Sequence, residues 1–150
     1  MVNGTALHKT NGVILAKRQQ ELIDRYAIIE DAHERFAALT NRGRKLPALP
    51  ESERVDANLV PGCSSRVWLA REFTNGHCHF RVDADSPIVK GLAALLSELY
   101  DDAPPADIVA WESEQDILEG LRIERMLSPT RLNGLASIRA AIRAFSAQHT

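Results

Sequence analysis

Apolar positions recur along this chain with two different periods. From about Val13 to Thr40, the residues Leu15, Leu22, Tyr26, Ile29, Phe36 and Leu39 return at spacings of three, four and seven, which keeps them near one face of a helix. Asn41 and Gly43 supply a stop signal. Residues 66–74 alternate instead. Val67, Leu69 and Phe73 point one way, while Trp68, Glu72 and Thr74 point the other. Asn75-Gly76 then signals a two-residue type I′ turn, and residues 77–84 run back. Counting outward from that turn pairs Phe73 with Cys78, Arg71 with Phe80, Leu69 with Val82 and Val67 with Ala84. That face is apolar apart from Arg71. On the other face Glu72 meets His79 and Trp68 meets Asp83. A slip of one residue would turn the apolar set toward water.

Helical spacing resumes after the hairpin. Ser86 is placed to cap a helix with Pro87 at its first position. Ile88, Val89, Leu92, Leu95, Leu96 and Leu99 form its apolar stripe. Gly91 lies inside that stripe at a cost of about 1 kcal/mol relative to Ala, so close packing is the expected reason for it. Pro104-Pro105 ends the helix and starts a short turn around residues 107–109. Ser113-x-x-Asp116 resembles a capping box, with Asp in place of Glu, ahead of Ile117, Leu118 and Leu121. Ser128-Pro129 opens a last helix carrying Leu132, Leu135, Ile138, Ile142 and Phe145. Of the remaining segments, residues 1–10 read as a loose tail. Residues 43–50 read as an extended connector, and residues 57–61 as a short edge strand ending at Pro61. The expected fold is α+β, a small antiparallel β-sheet with helices packed on one face. No repeat or linker divides it, so a single domain over residues 1–150 is expected.

A chain of 150 residues is long enough to bury a sizeable core without metal or disulfide support. Its formal net charge of −2 argues against general nucleic-acid binding, which needs a strong basic field. The cluster Arg42, Arg44 and Lys45 reads as a solvated face. Two cysteines make no disulfide framework. The N-terminal residues lack the apolar core of a secretory signal, and no run approaches the roughly 18 apolar residues of a membrane span. No membrane association and a cytoplasmic location are therefore expected, and thiols stay reduced in that compartment.

The candidate chemistry centres on Cys63. It follows Pro61-Gly62 and precedes the first strand, so it sits on a short loop entering a sheet edge. Gly62 permits positive φ and leaves no side chain beside the sulfur. A lone cysteine is most often a small buried apolar residue, and that reading suits Cys78, which the hairpin register turns toward the core. A metal or cluster site from Cys63, His77, Cys78 and His79 is an alternative. His77 and His79 share a strand face, but Cys78 points the opposite way, whereas a structural zinc site needs four converging ligands. No cysteine-peptidase signature surrounds Cys63.

Four stretches resemble the SufE family, the sulfur-accepting partners of cysteine desulfurases, in the family's order. They are Val60-Pro61-Gly62-Cys63-x-Ser65-x-Val67-Trp68, Gly43-Arg44-Lys45-Leu46-Pro47, Asp85-Ser86-Pro87-Ile88-Val89-Lys90-Gly91-Leu92 and Leu127-Ser128-Pro129-Thr130-Arg131-x-Asn133-Gly134-Leu135. The resemblance runs from about residue 20 to the C-terminus. It implies the fold shared by SufE proteins and IscU-type scaffolds, although an IscU-type scaffold would use three cysteines. It implies that Cys63 accepts a persulfide sulfur from a desulfurase and passes it to a SufBCD-type scaffold. No cofactor of its own is implied, because pyridoxal phosphate belongs to the desulfurase. Arg131 matches the family's arginine near the active cysteine, where it and the helix N-terminus would favour the thiolate. Arg66 is a second source of positive charge. Gly62, Ser65 and Arg66 are expected to be auxiliary or partner-binding positions. Arg66-Val67-Trp68-Leu69 is similar to the CsdE branch, and Gly43 to Pro47 with Ser65 to the SufE branch. The implied partner is thus a desulfurase of SufS or CsdA type. The rival within this resemblance is an adaptor that stimulates the desulfurase without carrying sulfur.

Overall fold

The computed structural model describes residues 2–113 and 115–150, with side chains from residue 14 onward. Residues 2–10, expected as a loose tail, are instead the first turns of a helix that begins at Val2; of that stretch only Met1 lies outside the described residues. The helices are α1 (Val2–Ala27), α2 (Ala32–Lys45), α3 (Pro87–Tyr100), α4 (Pro105–Ala110), α5 (Ile117–Leu121) and α6 (Pro129–Ala147). The strands are β1 (Val67–Thr74) and β2 (His77–Ala84), and short 3₁₀ turns cover Asp56–Asn58 and Glu124–Met126. The fold is α+β, as expected.

The hairpin follows the sequence residue for residue. Asn75 and Gly76 both take positive φ, 54° and 79°, as a type I′ turn requires. The register pairs Phe73 with Cys78, Arg71 with Phe80, Leu69 with Val82 and Val67 with Ala84. Its inner face places Val67, Leu69, Cys78 and Phe80 in the main core, with α3 central to it. Cys78 is 0% exposed; its N–H donates to Ala103 O at 2.9 Å, and Ser146 hydrogen-bonds its thiol. Phe73, at the hairpin tip, is half exposed and stacks on His149, ring centroids 4.5 Å apart, rather than covering Cys78.

The single helix expected over residues 13–40 is two. Ile28 is 83% exposed at the break. Asp31 caps α2 by accepting from Glu34 N at 3.1 Å. Arg35 closes the end of α1: its Nη1 donates to Ile29 O and Glu30 O, and its Nε to Leu121 O. Gly43 does not stop α2, which continues to Lys45 and ends where Leu46, ahead of Pro47, turns extended. Gly43 instead meets α3. A Cβ at Gly43 would fall 1.9 Å from Pro87 O, and one at Gly91 2.0 Å from Leu39 O. The two glycines let the helix backbones touch.

The outer face of the sheet is covered too, by the connector between α2 and β1 rather than by a helix. Leu49 and Leu59 pack on Trp68 and Ala70. A buried ion pair fixes this strap: Lys90 Nζ lies 3.1 Å from Asp83 Oδ1 and donates to Leu46 O at 2.8 Å, while Leu49 N donates to Asp83 Oδ2. Burial pushes the Asp83 carboxyl up, but Lys90 and the N–H groups of Leu49 and Ala84 outweigh it and hold it below its ordinary value. The edge strand expected at residues 57–61 reduces to one bridge, Leu59 with Trp68, and Val60 N donates to Val67 O at 2.9 Å. Residues 105–110, expected as a turn, form α4. Ser113 does not cap α5; Asp116 does, accepting from Leu118 N. Ser86 holds the cap position of α3 without a side-chain capping bond. Ser128 caps α6 as expected, accepting from Arg131 N at 3.2 Å.

Alanine at Gly91 gains about 1 kcal/mol in helix propensity but must displace the α2 backbone. Overpacking of this kind costs about 1–3 kcal/mol, so Gly91→Ala should lower the denaturant midpoint. An unchanged or raised midpoint would contradict the close approach.

Candidate cysteine site

Cys63 stands at the tip of a loop whose two ends are fixed. On one side Val60 is buried and bonded to Val67. On the other, Arg66 O accepts from Asp85 N at 3.1 Å. Between them Gly62 has φ +83°, and a Cβ there would lie 2.9 Å from Ser137 Oγ. The positive φ therefore calls for glycine, and a side chain there would also crowd Ser137 Oγ.

The loop lays the thiol against α6. Cys63 Sγ–H donates to Gly134 O at 3.5 Å. Ser64 and Ser65 from the loop, Val89 from α3, and Thr130, Arg131 and Gly134 from α6 line a cleft with Cys63. The cleft is small, about 10 Å3, roughly the room that one water-sized atom needs. Ser128 at the cap and Pro129 at the helix start aim the first turn of α6 along this cleft.

Arg131 and Ser65 are thus brought to Cys63, with Arg131 exposed at the wall. Arg66 does not line the cleft. Its Nε donates to Asp85 Oδ2 at 2.9 Å and its guanidinium lies 5.3 Å over the Trp68 ring. The thiol is half-buried, and burial pushes its pKa up. That differs from the thiolate-favouring environment expected from the sequence. The sulfur sits beside the second turn of α6, where it faces a carbonyl oxygen rather than the free N–H groups of the first turn. Gly134, Val89 and Thr130 were not singled out as site residues by sequence reasoning. All three lie inside the family-like stretches, Val89 in the third and Thr130 and Gly134 in the last, and that was the available signal.

The other candidates do not converge. His77 Nδ1 pairs with Asp102 Oδ1 at 2.8 Å, and His79 Nδ1 lies 3.8 Å from Asp101 Oδ1. The His77 contact holds the Asp102 carboxyl below its ordinary value. Cys78 lies on the buried side of the same strand. Among the described residues, no group of three or more His, Cys, Asp or Glu is arranged to hold a metal ion. No described helix is long and apolar enough to cross a membrane.

The family model described as SufE, Fe-S metabolism associated domain, matches residues 20–146, a span that includes every residue of the cleft. A solution structure of a hypothetical protein from Thermus thermophilus superposes with a TM-score of 0.68 at 19% identity, covering 88% of this chain and 95% of that one. That likeness is one of fold.

The raised thiol pKa has a readable consequence. Iodoacetamide should modify Cys63 in the native protein with a pH midpoint above that of the same thiol in denaturant, because burial favours the neutral form. Cys78 should stay unmodified until the protein unfolds. A native midpoint below the denatured one would show that the cleft favours the thiolate.

Proposed function

The chain belongs to the SufE family, whose domain is associated with Fe–S metabolism, and we propose that it is a sulfur acceptor and carrier for a pyridoxal-phosphate-dependent cysteine desulfurase. The observation that carries this reading is the Cys63 thiol on a short, anchored loop, beside a cleft with room for one more atom. A carrier needs a nucleophilic sulfur and a shelter for the atom it takes on.

The step is thiol–disulfide exchange with sulfane sulfur as the transferred group. Cys63 loses its proton, and its thiolate attacks the terminal sulfur of the desulfurase cysteine persulfide. A new S–S bond forms on Cys63, the donor S–S bond breaks, and the desulfurase thiolate departs. No external oxidant or reductant enters. Pyridoxal phosphate stays with the desulfurase, which is of SufS or CsdA type. Because burial keeps the free thiol protonated, docking supplies the activation. Arg131, exposed at the cleft wall, is placed to attract the anionic donor and stabilise the thiolate. Ser65 and Gly62 shape the loop. The loaded protein then passes its sulfur to a SufBCD-type scaffold in the cytoplasm.

The test is sulfide release from L-cysteine by a SufS- or CsdA-type desulfurase, with and without this protein. The protein should raise turnover and have little activity alone. Cys63→Ser should abolish both stimulation and the persulfide seen by mass spectrometry, with an unchanged melting curve. Arg131→Ala should lower the transfer rate on the order of tenfold in a protein that still folds, because Arg131 contributes charge rather than packing. Full stimulation by Cys63→Ser would make the protein an adaptor instead. Stimulation of neither desulfurase would defeat the reading altogether.

A further inference from the structure

We propose that Gly134 is a specificity-determining residue of the Cys63 site: its missing side chain is the space in which a single sulfane sulfur is held. This rests on the carrier reading above. Gly134 is buried in the second turn of α6, where glycine is otherwise unfavourable. A Cβ built there lies 3.5 Å from Cys63 Sγ and 3.9 Å from both Cα and Cβ of Cys63. These are ordinary contact distances, so alanine is compatible with the free thiol. The same methyl group would occupy the cleft, which at about 10 Å3 is no larger than one atom needs. Alanine therefore discriminates between the two states of the protein. It admits the thiol and excludes the persulfide.

The same dimensions set the length of the sulfur chain. The first transfer makes Cys63–S–S⁻ from Cys63–S⁻ and a donor persulfide, releasing the donor thiolate. A second transfer of the same kind would make a trisulfide on Cys63. The cleft that Val89 and Gly134 help to line has room, at about 10 Å3, for one added atom, so a second stands outside it in water. There it is open to attack by free thiols. The protein should accumulate one sulfur per Cys63 and lose any further one.

The experiment loads the whole protein, reduced beforehand, either with a desulfurase and L-cysteine or with inorganic polysulfide. Adducts are followed by intact-protein mass spectrometry during a chase with free thiol. Wild type should show one durable added sulfur. Gly134→Ala should melt no lower than wild type, since alanine favours the helix, yet lose the adduct at least tenfold faster. Val89→Ala in the Gly134→Ala background, which removes volume from another residue lining the cleft, should restore much of that lifetime. Equal adduct lifetimes in wild type and Gly134→Ala, durable trisulfide in wild type, or no recovery in the double variant would each overturn the inference. Wild type that takes up no sulfur from either source would instead overturn the carrier reading on which it rests.

Discussion

The register of the β-hairpin is the constraint on which the remaining contacts depend. Positive φ at both Asn75 and Gly76 fixes the turn, and the turn fixes which residues face each way. Val67, Leu69, Cys78 and Phe80 then face α3, and Trp68 and Asp83 face outward. Outward is where Asp83 can meet Lys90 and tie down the backbone at Leu46 and Leu49. Trp68 offers the surface on which Leu49 and Leu59 pack. The strap so fixed ends at Val60, bonded to Val67, and the next turn presents Cys63. Moving the register by one residue would bury Asp83 in the helical core, release the strap and leave the cysteine loop without a fixed base.

The site itself balances shelter against reactivity. A thiol that water cannot fully reach is protected, but it also resists losing its proton. A free-standing enzyme would have to resolve that conflict alone. A carrier of the kind proposed need not, because the partner that would bring the sulfur can also change the surroundings of the thiol when it docks. Exposed Arg131 at the wall and the exposed loop residues Pro61, Gly62 and Ser64 suit such a division of roles between two proteins.

Local features were legible in the sequence and distant ones were not. The hairpin rests on one dipeptide and a period of two, both read within eighteen consecutive positions. The helix starts at Ser86-Pro87 and Ser128-Pro129 are equally local. The break between α1 and α2 escaped because Ile29 and Phe36, seven apart, keep the helical phase across it. The signal was Asp31, whose capping role competes with an apparently continuous stripe. Gly43 read as a terminator because the sequence does not reveal that Pro87 O lies against it. Within the site, Cys63 and Arg131 were found from their motifs. Arg66 was diverted by Asp85, and the cleft wall at Val89 and Gly134 is assembled from segments far apart in the chain.

Helix α6 touches both ends of the molecule. Its first two turns form a wall of the cysteine cleft, and its last turn carries Phe145 and leads to His149, which packs on the hairpin tip through Phe73. Nineteen residues at about 1.5 Å each make it a strut of about 28 Å. The sulfur lies beside Gly134, thirteen residues before the helix end at Ala147, so a dye, affinity handle or tether attached at residues 148–150 is held about 20 Å from it along the helix axis. The chain carries its own spacer, and a handle at residues 148–150 leaves the cysteine mouth clear.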